Sequence, residues 1–357
     1  MSRLSLSQLI VRYAFIALTL AACAAAFAWT AGWIHWPGAR AALTPDRLID
    51  AFERSAGTHP GFRRNHAKGI CVSGYFDSNG NGTALSRASV FERGRTPLLG
   101  RFSAPGGNPA EDDADTTVRS FALRFAMQDG EQWRTGMNSA PVFAVRTPQA
   151  VYELQEAMEH DKRTGRPDPA RLDAFFASHP ETNALRDWLA AHPPASAFYN
   201  ASYYGIDAFR FTDASGNTRF VRWSVVPDVP YAPLDTHDPD ARDPDFLAHD
   251  LKVQLESAPV RWHLMLTPAG AGDPVDDATR AWPVEREQHR VDAGTIVIEH
   301  AQSQIDGPCR DINFDPTVLP VGIAPSDDPL LAARAAAYAV SFDRRTSEEA
   351  RAGTKGR

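Results

Sequence analysis

Cysteine is scarce in this chain of 357 residues: Cys23, Cys71 and Cys309 are all there is. None forms a CxxC pair, and there is no closely spaced even set, so neither a zinc ribbon nor a disulfide-stapled small domain is indicated. Two buried free thiols at Cys71 and Cys309 are expected, rather than a bridge between them. Positive charge is also in short supply. Against 37 Lys and Arg stand 44 Asp and Glu, for a net charge of −7 and a pI near 5.9. The first 40 residues hold three of the arginines and no acid, leaving −10 on the remainder. Phosphate backbones and anionic lipid heads would repel such a body, so no nucleic-acid partner is expected. Internal repeats and low-complexity tracts are missing, as is the strand–helix alternation that builds parallel sheets. Residues 227–245 are rich in proline and aspartate but lack the spacing of a calcium-binding loop, which makes them a solvated loop. Hydrophobic residues at 43% and charged residues at 23% are ordinary for a folded chain of one large domain or two.

Charge is wholly absent between Arg12 and Arg40. Tyr13 to Ile34 is apolar apart from Thr19 and Thr30, and about 20 such residues suffice to cross a bilayer. Arg3 and Arg12 precede the run, which places the N-terminus in the cytoplasm and the body outside. Trp29, Trp33 and Trp36 cluster at the far end, as an interfacial belt does. The expectation is a short cytoplasmic N-terminus (1–12) and a single-pass anchor (13–36). A linker with a short helix (37–60), a main domain (61–346) and a polar tail (347–357) follow. A cleaved signal peptide and a lipoprotein box at Leu20-Ala21-Ala22-Cys23 are the competing readings.

Strand-like runs are Ile70–Asp77, Ser86–Phe91, Pro97–Ser103, Thr117–Met127, Pro141–Arg146, Ala208–Thr212, Arg219–Val226, Val260–Leu266 and Thr295–Glu299. They are short and linked mostly as hairpins, so an antiparallel barrel, whose closure removes exposed edges, is the natural solution. Helices are predicted over Thr44–Ala56, Pro148–His160, Pro169–Ala177, Glu181–Ala191 and Ser326–Arg345. In the last, Ser326 is a plausible N-cap ahead of Asp327, Asp328 and Pro329. Arg334, Tyr338 and Arg345 share one face of this alanine-rich helix. A guanidinium one turn from a phenol favours the phenolate, a hard anionic ligand able to hold ferric iron. The same residues also fit an exposed helix with solvated arginines.

The segment Asn313-Phe-Asp-Pro-Thr-Val-Leu-Pro-Val-Gly-Ile, followed by Pro-x-x-Asp-Pro-x-Leu-x-Ala-Arg-x-x-x-Tyr, resembles the proximal haem helix of the haem catalases. That resemblance implies Tyr338 as the iron ligand, Arg334 as its charge partner and Arg345 as a propionate contact. Arg63-x-x-His66-Ala-Lys-Gly69 resembles the distal-histidine motif, which makes His66 the group that shuttles a proton between the two oxygens of a peroxide. Arg101-Phe-Ser103 is similar to the segment whose arginine meets a propionate and whose serine supports the histidine. Arg63 completes the clamp, since guanidinium forks suit carboxylates. Gly136-Met-Asn138-Ser-Ala-Pro-Val-Phe143 resembles the stretch whose asparagine hydrogen-bonds peroxide and whose phenylalanine packs beside the haem. There are departures. Thr117-Val-Arg119-Ser120-Phe121 lacks the aspartate that lines the main peroxide channel, and the chain stops at Arg357 without a C-terminal helical domain. The match is therefore to the small catalase-related peroxidases.

The fold so implied is α+β: a catalase-type antiparallel barrel of about eight strands with inserted and flanking helices, behind one transmembrane helix. The activity implied is reduction of hydrogen peroxide or organic hydroperoxides by an organic electron donor, with haem b as cofactor and weak catalase activity at most. No CxxCH is present, so covalent haem attachment is not expected. The implied setting is the bacterial inner membrane, facing the periplasm, with homo-oligomerisation open. Two alternatives remain: a haem enzyme that transforms lipid hydroperoxides, of the allene oxide synthase or lyase type, and a non-catalytic haem-binding envelope protein.

Overall fold

Threonine or aspartate followed by proline recurs where helices begin. A computed structural model of the chain describes residues 5–30, 42–161 and 163–355. In it, α3 (Pro148–Met158) starts behind Thr147, whose side chain accepts the Ala150 amide at 3.2 Å. The fourth helix, α4 (Pro169–Ser178), starts behind Asp168, which accepts from Ala170 at 3.0 Å. The last, α7 (Pro329–Lys355), starts behind Asp328, whose Oδ1 accepts from Leu330 at 2.9 Å. In each case the side chain satisfies an amide left over at the helix start, and proline supplies a fixed φ without needing a donor. The cap of α7 is thus Asp328 and not Ser326, whose hydroxyl instead accepts from the Asp328 amide at 3.3 Å. The helix also runs well past Arg345, through residues 347–355, which the sequence suggested as a tail.

The chain divides into two units, residues 1–44 and 45–357. The first contains α1 (Leu6–Thr30), in which Ile10–Ala28 is long and apolar enough to cross a membrane. Within it the Thr19 hydroxyl donates to the Phe15 carbonyl at 2.9 Å, so that polar group is satisfied inside its own helix. Cys23 is a free, exposed thiol. Trp33 and Trp36 lie outside the described residues.

The second unit is built on a closed sheet. Its strands are β1 (Gly69–Ser78), β2 (Gly94–Ser103), β3 (Ser120–Ala126), β4 (Gln132–Asn138), β5 (Tyr203–Tyr204), β6 (Phe209–Thr212), β7 (Thr218–Pro227), β8 (Val260–Pro268), β9 (Val291–Ser303) and β10 (Ile323–Pro325). Antiparallel pairing runs β1–β2–β3–β4–β5–β7–β8–β9 and returns to β1. Eight strands therefore close into a barrel, as the hairpin pattern predicted, while β6 and β10 extend β7 at one end. The interior is aromatic. Phe102 stacks between Phe121 and Phe198 at 4.2 and 4.8 Å, and Trp262 and Tyr203 close around them. Burying each such ring contributes about 1.5–3 kcal/mol.

Other expectations need correction. Ser86–Phe91 is not a strand; it ends in a short 3-10 turn, Ser89–Phe91, whose Val90 and Phe91 point into the core. Pro141–Arg146 makes no strand pairing; the Phe143 amide donates to the Ala278 carbonyl at 2.8 Å, and its side chain packs against two buried apolar clusters. The strand missed there is β4, which precedes and ends on Asn138. Also unpredicted is helix α6 (Phe246–Ser257). Finally, Cys71 and Cys309 are not free thiols but a disulfide. It joins β1 to the segment after β9 across 238 residues of sequence, a separation at which cysteine spacing carries no signal.

Candidate active site

The cleft lies between the barrel wall and α7. Cys71, Arg101, Ala122 and Gly136 are successive partners across β1, β2, β3 and β4. Their neighbours Phe102, Phe121 and Met137 belong to the barrel core, so by strand alternation this row faces outward. Two members of the row are small, and that leaves room. A Cβ at Gly136 would meet Arg334 Nη2 of α7 at 3.3 Å. The opening has a volume of about 1270 Å³ including its mouth. Arg63, His66, Arg101, Ser103, Asn138, Phe143, Arg334, Tyr338 and Arg345 all border it. The structure thus brings together every residue singled out from the sequence. The amphipathic helix α2 (Pro45–Ala56) adds Leu48, Ile49 and Phe52 to the lining.

On the barrel side, His66 sits in the left-handed region at φ 57°, the only non-glycine with positive φ among the described residues. That backbone is costly for a non-glycine residue, and its surroundings must hold it. Asn65 does so: its Oδ1 accepts the amides of His66 at 3.0 Å and of Gly106 at 2.8 Å. Ser103 Oγ lies 3.4 Å from His66 Nδ1. Burial, and then repulsion from Arg101, Arg334 and Arg63, push the imidazole down to about 3. It is therefore neutral at physiological pH, with a lone pair available. Asn138 ends β4, and its Oδ1 accepts the Ser120 hydroxyl at 2.7 Å. That bond leaves the amide N–H groups as the donors for anything in the cleft.

Arg334 of α7 forms an ion pair with the buried carboxylate of Asp207. Its guanidinium lies 5.9 Å from the centre of the Tyr338 ring. Burial disfavours the charge, but attraction to Tyr338 and Asp207 outweighs it and raises the arginine above its usual value. Asp207 carried no signal in the sequence, being a lone aspartate between Ile206 and Ala208. Asn65 and Gln304 were equally invisible, because each acts through a fold contact and not a motif.

At the far end three guanidiniums converge without a carboxylate to match them. Arg63 Nη2 donates to the carbonyls of Cys309, Arg310 and Ile312 at 3.1, 3.2 and 3.0 Å. Arg101 donates to the Ala67 carbonyl at 3.2 Å and to Gln304. Arg345 donates to the Arg310 carbonyl at 2.6 Å. Arg101 and Arg345 are each 2% exposed, yet the Nε of both has no partner. Burial and then the other two arginines push Arg101 well down; burial and then Arg345 do the same to Arg63. Asp311, 3.9 Å from Arg345, is itself mostly exposed and cannot offset three cations, two of them buried. Unpaired buried cations are expensive, and an anionic ligand is what this cluster fits.

The family model for catalase matches residues 46–351, from α2 almost to the end of α7. The chain belongs to the catalase family and is an oxidoreductase; members of the family bind haem. Two relatives are catalase-related peroxidases. That of Synechococcus elongatus is 36% identical over 304 residues, covering 85% of this chain and 89% of its own. That of Mycolicibacterium paratuberculosis is 33% identical over 305 residues, covering 85% and 95%. Longer catalases are more distant: the Glandirana rugosa enzyme is 27% identical over 288 residues, which are 76% of this chain and 54% of that one. Catalase A from Saccharomyces cerevisiae superposes with a TM-score of 0.73 at 20% identity, over 87% of this chain and 66% of that one, and shows the shared fold.

Proposed function

We propose that the protein is a haem b peroxidase that reduces hydrogen peroxide or an organic hydroperoxide with electrons from a small organic donor. The observation that carries this reading is the charge layout of the cleft. Buried, unmatched arginines stand at one end, a tyrosine with its arginine lies on the helix wall, and a neutral histidine lies on the barrel wall. Arg63, Arg101 and Arg345 would hold the two propionates, Tyr338 Oη the iron, and Phe143 an edge of the ring. Bound haem would supply the redox centre through which oxygen is taken from the peroxide and two electrons are returned from the donor.

The chain's own residues manage protons and position. His66 accepts the proton from one peroxide oxygen and delivers it to the other, so that the O–O bond breaks towards water or an alcohol. Asn138, held by Ser120, would donate to an oxygen of the peroxide in the cleft. The net reaction is ROOH + DH2 → ROH + H2O + D, in which D is the donor. With the apolar α1 ahead of it, the domain is read as anchored to the bacterial inner membrane and facing the periplasm.

The test is a visible spectrum of the full-length protein purified from membranes, followed by donor oxidation on adding peroxide. A haem Soret band with donor turnover is expected. Protein that lacks haem after supplementation, or a rearranged epoxide formed from a lipid hydroperoxide with no donor consumed, overturns the reading.

A further inference from the structure

The disulfide sits at the back of the arginine cluster. Cys71 is the direct partner of Arg101 across the β1–β2 ladder, so both side chains leave the same face of the sheet. Cys309, at the other end of the bridge, opens the segment whose carbonyls orient the other two arginines. Arg63 is held by the carbonyls of residues 309, 310 and 312, and Arg345 by that of 310. The same segment gives Ile312 and Phe314 to a small buried cluster around the sulfurs, and both side chains also border the cleft. Its backbone is otherwise irregular, a run of turns with no strand partner. Segments of this kind drift unless they are tied down.

Three mutually repelling cations demand such a tie. Without an anion in place, the repulsion between Arg63, Arg101 and Arg345 drives them apart, and the 309–312 carbonyls are the acceptors that restrain two of them. We propose that the Cys71–Cys309 disulfide is a positioning device for the dicarboxylate end of the cofactor site, locking the carbonyl cradle of Arg63 and Arg345 to the strand that carries Arg101. The bond adds nothing to the chemistry of peroxide. It fixes where two carboxylates are received, and it makes a well-formed site conditional on an oxidising compartment, where such bonds persist. The inference rests on the haem-binding reading above.

The test compares full-length protein, wild type and the pair Cys71→Ser with Cys309→Ser, each reconstituted in detergent with haem b or with haem whose propionates are methyl esters. The readout is the rate of haem loss to an excess of acceptor, followed in the Soret band. Loss of haem b from the variant is expected to be about tenfold faster than from wild type, a change of about 1.4 kcal/mol. The diester, which cannot engage the arginines, should leave both proteins at rates within about twofold of each other. Equal acceleration for both haems means general loosening and overturns the proposal, as does no acceleration for either. Should the serine pair fail to fold by circular dichroism, Cys71→Val with Cys309→Ala keeps the sulfur cluster apolar and carries the same comparison. A wild-type protein that binds neither haem refutes the proposed function itself.

Discussion

Four arginines border one cleft, Arg101 and Arg345 buried and Arg63 and Arg334 half-buried, and they are held in two opposite ways. Arg334 ends on the Asp207 carboxylate and is pushed up. Arg63, Arg101 and Arg345 end on neutral carbonyls and an amide, with only the exposed Asp311 3.9 Å from Arg345, and are pushed down. The difference separates two uses of one side chain. A guanidinium neutralised by the protein stays in place, here 5.9 Å from the centre of the Tyr338 ring. A guanidinium left unmatched reserves its charge for a ligand, at a cost to the empty protein. On the function proposed above, that cost is the mark of the cofactor site in the energetics of the fold.

The comparison can be broken most sharply at the residues each set serves. His66→Ala should retain haem, as it lies on neither arginine set, yet slow the reaction with peroxide by about a thousandfold in stopped flow. A rate within tenfold of wild type would remove His66 from its role. Tyr338→Phe takes away the oxygen that Arg334 serves and should weaken haem retention by about a hundredfold, with a changed Soret band. An unaltered spectrum would end the ligand assignment.

Asp207→Asn strands the largely enclosed Arg334 cation, and should lower the stability of the haem-free protein by about 3 kcal/mol in urea unfolding. Arg345→Met should do the reverse, by relieving repulsion. The haem-free protein should melt a few degrees higher, while haem b is held about tenfold less tightly. If both variants moved stability in the same direction, the distinction between matched and unmatched arginines would fall.

A smaller effect concerns pH. Because His66 is pushed down to about 3 in the folded protein, the unfolded chain takes up its proton first as pH falls below the ordinary value of about 6.5. The stability this site contributes is therefore present above about pH 6.5 and is lost progressively towards pH 3. The urea midpoint of the haem-free protein should drop between pH 7 and pH 4.5, and by less in His66→Gln.

Much of this was legible beforehand because it was local. Helical apolar spacing with proline punctuation placed three of the helices, alternating apolar runs placed most strands, and Arg-x-x-x-Tyr spacing put two side chains one turn apart on α7. Errors fell where a segment's partner was distant. The β4 run Gln132-Trp-Arg-Thr-Gly-Met-Asn has too few apolar residues and a central glycine, and it becomes a strand only because β3 is beside it and Arg334 needs the space at Gly136. Ser86–Phe91 alternates like a strand but has no partner to pair with, and it turns instead to bury Phe91.

By itself, then, the sequence determined the inventory: an apolar first helix, a hairpin-rich body, and a histidine, asparagine, tyrosine and arginines in motifs that survive as short strings. Those are consequences of backbone propensity and side-chain spacing, which act over a few residues. Only the tertiary structure decided which arginine has a carboxylate, that Asn65 holds a strained His66, and that Cys71 is joined to Cys309. Each is a contact between segments far apart in the chain, and closure of the barrel is what brings those segments together.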